Sequence, residues 1–243
     1  MTENAPGLKL GCFIFRIFIF VGDCDIMRDN YSKKEAACYM ALDVKKIIAS
    51  EFLELCEHKD LRKITIGEIQ KKVGLSRQTF YKHFQDKDDL IQYCYDTQIV
   101  PKWEMSNDDF KSPQEEWEYT YKWTLGYIGS IKEHRKFMKA ACEMSGPNCL
   151  WKHMIVHNKE NEIKWRKMNG ETEITEDMNA VIEYHTMAYY GMILNWIFDD
   201  MPISEEEFVN RLLRVNKVKI DDVFGNDNGG DCFYAEIFKT MKS

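Results

Sequence analysis

Thr65, Gly74, Ser76 and Asp86 lie within one stretch, ITIGEIQKKVGLSRQTFYKHFQDKDDL from Ile64 to Leu90, and together they leave its backbone few choices. Thr65 and Glu68 have the S/T-x-x-E spacing of a capping box, so a short helix starts at Thr65. Gly74 follows about two turns later, where a chain that reverses direction benefits from a residue tolerating positive φ. Ser76 caps a third helix running through Arg77, Gln78, Thr79, Phe80, Tyr81, Lys82 and His83. Asp86 caps a fourth, whose apolar face is Leu90, Ile91 and Tyr93 to Tyr95. Two short helices joined by so tight a turn have the geometry of a helix-turn-helix.

Upstream, Ala37, Met40, Ala41, Val44, Ile47, Ile48, Phe52 and Leu55 recur at three- and four-residue steps from about Lys34 to Glu57, which predicts one amphipathic helix. Beyond Pro101 the pattern predicts longer helices at about Pro113 to Glu133, His134 to Met144, Cys149 to Met168, Thr175 to Phe198 and Ser204 to Asn216. Pro113, Gly146-Pro147, Asn169-Gly170 and Pro202 punctuate them. No segment alternates at period two, so the expected fold is all-α. A helix-turn-helix domain over residues 34–100, with its motif at about 64–84, is followed by a larger helical domain at 101–218 and a flexible tail at 219–243.

A net charge of −7 argues at first sight against a DNA partner, because duplex binding needs Lys and Arg to displace counterions from phosphates. The mean hides an asymmetry: 13 basic face 11 acidic side chains from Met27 to Tyr95, against 18 and 26 from Asp96 to Ser243. Within Leu61 to Gln85, Arg62, Lys63, Lys71, Lys72, Arg77 and Lys82 meet a single acid, Glu68. A local basic surface on an acidic protein can hold DNA.

A DNA-reading helix exposes polar residues to base edges while its other face packs on the preceding helix. Phe80 and Phe84, one turn apart, are expected to face inward. Arg bonds bidentately to guanine and Gln to adenine, so Arg77 and Gln78 at the helix start are the candidates for base readout. Thr79, Tyr81 and Lys82 suit phosphate, as do Lys87 and Thr65 beside the positive ends of their helices.

From about Met40 to Val100 the chain resembles the TetR family of bacterial-type transcription regulators. The capped helix, the Gly-containing turn, the T-x-Y-x-H-F-type recognition helix and the acid-Lys-x-x-Leu start of helix four occur in that order. RQTFYKHFQDKDDL is also similar to the branch that includes the activator of dihydroxyacetone kinase operons. The resemblance implies a dimeric all-α protein, most often a repressor, whose C-terminal domain binds a small molecule or a partner and so changes the separation of two DNA-binding heads. It places phosphate and base contacts on Thr65, Arg77, Gln78, Thr79, Tyr81, His83 and Lys87. Gln70 and Val73 stand where many members have small alanines, which implies a slightly reset helix pair.

In the helix from Thr175, Met178, Ile182, His185, Tyr189, Met192 and Trp196 recur at alternating steps of four and three. Such a stripe is either a core face of the monomer or a partner-helix face. Given the family, it is expected to form a dimer interface with the final helix around Phe208 and Leu212. Trp103, Trp117, Tyr121, Trp123, Tyr127, Phe137, Met138, Trp151 and Met154 suit either an apolar ligand cavity or an ordinary helical core.

Cys149, His153 and His157 share one helix face at four-residue steps, but three ligands on one straight helix span more than one ion can bridge, so no metal site is expected. There is no Gly-rich phosphate loop, G-x-S-x-G elbow or H-E-x-x-H, and neither catalysis nor a cofactor is expected. The cysteines at 12, 24, 38, 56, 94, 142, 149 and 232 form no C-x-x-C pair and read as reduced thiols in a cytoplasm. Leu8 to Val21 is apolar but 14 residues long, short of the ~20 a membrane helix needs, and Arg16 interrupts it. Residues 1–26 are therefore expected to be an extension, with no membrane role, upstream of a functional start near Met27.

The sequence thus predicts a homodimeric, effector-responsive regulator of duplex DNA, a repressor on an inverted-repeat operator. The readings left open are an activator controlled by a protein partner, and a helical scaffold that binds DNA only nonspecifically.

Overall fold

The computed structural model describes residues 33–102, 110–168 and 173–215; the expected extension at 1–26 and tail at 219–243 lie outside them. Among the described residues there are nine α-helices and no strand. They are α1 (Lys33–His58), α2 (Ile66–Val73), α3 (Arg77–His83), α4 (Lys87–Cys94), α5 (Pro113–Glu133), α6 (Arg135–Cys142), α7 (Leu150–Met168), α8 (Glu176–Phe198) and α9 (Glu205–Val215). Side-chain caps set where most of them begin. Ser112 accepts the Glu115 N–H ahead of α5, and Thr175 accepts that of Met178 ahead of α8.

Two elements have no periodic signature in the sequence. A 3-10 turn at Leu61–Lys63 is capped by Asp60, whose carboxylate accepts the Arg62 N–H at 2.9 Å. A π-helical turn at Tyr95–Ile99 prolongs α4 without a break, because Tyr95 keeps right-handed helical angles, and it buries Tyr95 and Ile99 completely.

The inner face of α1, with Ile48, Phe52, Leu53 and Cys56, packs on α2 and α4 around Ile69, Leu90 and Ile91. Phe52 also meets Phe137 of α6 edge-on, with ring centres 6.3 Å apart. Because α6 packs on α1, on the 3-10 turn and on α8, it belongs to both domains. In the larger domain α7 pairs with α8 and α9 lies on α5. Trp196 of α8 stacks on Phe208 of α9 at 4.7 Å, the planes 9° apart. Asp200 and Met201 between these helices both have positive φ, and the turn is closed by the Met201 N–H donating to the Trp196 carbonyl at 2.8 Å.

The burial pattern divides the expected dimer stripe. Ile182, Tyr189, Trp196, Phe208 and Leu212 lie in the protomer's own core at 5% exposure or less, and Met178, His185 and Met192 are half-buried. α6, α7 and α9 pack on that side of α8 and enclose the five buried side chains, while Met178, His185 and Met192 keep part of their surface open. The outward apolar residues of α8 are Val181, Tyr184, Met187 and Phe198, at 39%, 63%, 50% and 42% exposure.

The expected aromatic pocket is likewise divided. Phe137 and Met138 are fully buried on α6, with Phe137 in the seam with the DNA-binding domain. Trp123, Tyr127 and Met154 belong to the core of the larger domain; Trp117, Tyr121 and Trp151 are half-buried, and Trp103 lies outside the described residues. An open cleft of about 720 Å³ at the seam is lined by none of the nine; its walls are charged, with Arg62 reaching Glu143 at 3.3 Å and Lys136 reaching Glu57 at 3.5 Å.

Candidate nucleic-acid interface

The capping box at Thr65 is complete: its hydroxyl oxygen accepts the Glu68 N–H at 3.3 Å, and the Glu68 carboxylate accepts the Thr65 N–H and hydroxyl at 2.9 Å each. The Lys59 ammonium, 2.5 Å from that carboxylate, together with the two Thr65 donors, holds the Glu68 acid down to about 2. Gly74 ends α2 in the left-handed region at φ 75, and its N–H and that of Leu75 both return to the Gln70 carbonyl. Gln70 itself keeps its side-chain Nε2 buried with no partner, and Val73 packs half-buried against the core.

Ser76 then starts α3 by accepting the Thr79 N–H at 3.1 Å. Phe80 and Phe84, each 1% exposed, pin one side of α3 to the domain. Because they fix the helix's rotation, Arg77, Gln78, Tyr81 and Lys82 are turned to solvent, while Thr79 and His83 are half-buried at the margins. Tyr81 is 44% exposed; it is braced edge-on against Phe80 at 5.5 Å, and the Arg77 guanidinium lies 5.7 Å from its ring. The Thr79 hydroxyl is bonded to that of Ser76 at 2.8 Å. Burial, and then the charges of Lys45 and Lys82, hold the His83 imidazole below its ordinary range.

Asp86 starts α4 by accepting the Asp89 N–H at 2.8 Å. Lys87, expected on phosphate, is half-buried, and its ammonium donates to the carbonyls of Leu61 and Ile64 at 3.2 Å each. In this structure it ties α4 to the 3-10 turn. Lys45 of α1 is a cation that sequence reasoning missed. Its ammonium sits 5.1 Å from the Phe84 ring and 5.3 Å from that of Tyr93, next to His83. Helical periodicity shows that Lys45 is off the apolar stripe, but not that α1 crosses beside the end of α3.

An exposed polar helix face held by two buried phenylalanines, preceded by a capped helix and a left-handed glycine turn, is the arrangement of a DNA-reading helix-turn-helix. Residues 52–94 match the profile of bacterial regulatory proteins of the tetR family, and residues 116–217 match that of a transcriptional regulator C-terminal region. The chain belongs to the TetR family of transcription regulators. This TetR-family regulator is also 29% identical over 65 residues to the HTH-type dhaKLM operon transcriptional activator DhaS of Lactococcus lactis, a match covering 27% of the chain and 33% of that relative. The regulator thus matches about a third of the length of that curated relative. A solved structure, the dihydroxyacetone kinase operon activator DhaS, aligns over 71% of the regulator and 93% of its own chain, with 16% identity and a TM-score of 0.47. Among the described residues no helix is long and apolar enough to cross a membrane.

Proposed function

We propose that this regulator acts as a homodimer on an inverted-repeat operator and releases it when an effector binds the larger domain. The observation carrying the reading is the division of α3 into buried Phe80 and Phe84 on one side and exposed Arg77, Gln78, Tyr81 and Lys82 on the other. Arg77 and Gln78 read base edges; Tyr81, Lys82, Thr79, His83 and the start of α2 at Thr65 contact phosphate, and Lys45 adds positive potential at the far end of α3. A second copy would dock on the outward apolar residues of α8, which are exposed, and would have to hold the paired heads about 34 Å apart to read successive major grooves. The effector acts by linkage: it stabilises a head spacing that does not fit the operator, and DNA affinity falls by the ratio of its affinities for the two conformations.

Activation is the second reading, favoured by the similarity to the Lactococcus transcriptional activator. Selection of bound duplexes from a random pool at near-physiological salt tests DNA reading. An inverted repeat is the expected product, and recovery of no motif from folded dimer would overturn sequence-specific reading. A reporter placed behind the recovered site then gives the sign of regulation: lower output for a repressor, higher for an activator.

A further inference from the structure

Among the described residues, every buried polar or charged side chain lies in the larger domain: two threonines on α5, Thr186 on α8, and Asn158, Asn161, Glu162 and Arg166 on α7. The helices of the DNA-binding domain bury no polar side chain whole, and their one enclosed orphan atom among the described residues is Gln70 Nε2 on α2. The inward side of α7 therefore carries amides and charges where a helical bundle ordinarily packs Leu or Ile.

These groups are only partly satisfied by one another. The Asn161 amide nitrogen is buried with no hydrogen-bond partner, and so is His157 Nε2, one turn before it on α7. Asn158, fully buried, makes two long contacts: its Nδ2 donates to the Thr186 hydroxyl at 3.5 Å, and its Oδ1 accepts from the Tyr190 hydroxyl at 3.5 Å. Buried polar groups in native proteins nearly always have partners, so a cluster of orphans on one helix face marks a place where something else supplies them.

Resting on the effector-responsive reading above, we infer that the effector is a small, uncharged molecule rich in carbonyl or hydroxyl oxygens, bound at the α7–α8 seam by His157, Asn158, Asn161, Thr186 and Tyr190. Its neutrality follows from charge balance: the buried Arg166 guanidinium already has the Glu162 carboxylate at 2.8 Å, so a net charge on the ligand would be desolvated without compensation. Its oxygens follow from the donors, because an amide N–H needs an acceptor. The site is also wired to the DNA-binding domain. Tyr190 neighbours the Tyr95–Tyr127 hydroxyl pair at 2.6 Å, and His153 holds Asp96; Tyr95 and Asp96 both belong to the π turn that continues α4.

The test is thermal denaturation of the full chain without DNA, so its outcome is independent of whether an operator is found. The probes are the neutral compounds acetamide, glycolamide, erythritol and ribose, the charged compounds succinate and glycerol phosphate, and the apolar compounds benzene and toluene. A saturable rise in Tm with at least one neutral oxygen compound is expected, with affinity weakened at least tenfold in both Asn161→Leu and His157→Phe. Without probe, Asn161→Leu should melt above the wild type, because an apolar side chain replaces an orphaned donor. Saturable shifts from charged or apolar probes alone, no shift from any neutral probe, or undiminished affinity in both variants would overturn the inference.

Discussion

His153 Nε2 lies 2.9 and 3.0 Å from the two carboxylate oxygens of Asp96, bolting the π-helical end of α4 to α7 across 57 positions of sequence. The pair is about four-fifths buried on the His153 side and three-quarters on the Asp96 side, and His153 also stands edge-on to the Tyr95 ring. It joins the segment that carries the recognition helix to the core of the larger domain. Asp96→Ala should therefore cost about 1–2 kcal/mol, the scale of a hydrogen bond to a charged group, discounted for partial exposure. Calorimetry would register this as a Tm lower by ~2–8 °C; an unchanged Tm would deny the pair any anchoring role.

Phe80 and Tyr81 are adjacent but do opposite work. Phe80→Ala removes a side chain at 1% exposure and should destabilise the protein by about 3–5 kcal/mol, seen in urea denaturation. Tyr81→Ala, at an exposed position, should leave stability within about 0.5–1 kcal/mol while weakening binding to every DNA sequence. Gln78→Ala should instead relax preference at one base position by about 1–3 kcal/mol. Equal affinity and specificity in the Tyr81 and Gln78 variants would remove the proposed reading face.

Lys59 and Thr65 depress the Glu68 acid from 4.5 to about 2. A carboxylate with a lowered folded-state value contributes stability that is present above its unfolded value and lost as pH falls through the folded one. The wild type should thus lose more stability than Glu68→Gln between about pH 4.5 and 2, and the two should run parallel above that window. Circular dichroism melts across the range would show the convergence.

Burial pushes the thiols of Cys56 and Cys142 up to about 12 and that of Cys94 well above its usual value. Only the thiolate attacks alkylating reagents. Peptide mapping after iodoacetamide treatment at pH 7.5 should find these three unmodified in folded protein and modified in guanidinium. Fast labelling of Cys142 in the native state would contradict the packing of α6.

If the proposed homodimer forms through the outward side of α8, Tyr184→Asp should leave a monomer in light scattering with little change in protomer melting. Trp196→Ala, which loses the stack on Phe208, should destabilise the protomer by about 3–5 kcal/mol. Dimer retained in Tyr184→Asp would move the interface off that face.

The helix-turn-helix was legible because its information is local. Thr65, Glu68, Gly74, Ser76 and Asp86 each act within one turn of their own position, so spacing alone located α2, α3 and the start of α4. The long helices were legible for the same reason, through Pro, Gly and apolar periodicity. What spacing cannot carry is which side of a helix meets which neighbour. The Met178–Trp196 stripe was real, yet packing divides it: Ile182, Tyr189 and Trp196 are buried in the protomer, Met178, His185 and Met192 are half-buried, and the most exposed apolar side chains lie one step around α8. Lys87 has the position of a phosphate ligand, and only the fold shows that the Leu61 and Ile64 carbonyls also lie within its reach. Lys45 beside Phe84, and the polar seam of α7 with α8, arise from helix crossings between residues far apart in sequence. Local hydrogen bonding and backbone preference thus determined the α-helices, α3 among them, from sequence alone, but not the 3-10 and π turns. Partnership, burial and the polar interior were decided only when the helices packed, because those depend on distances the chain acquires by folding.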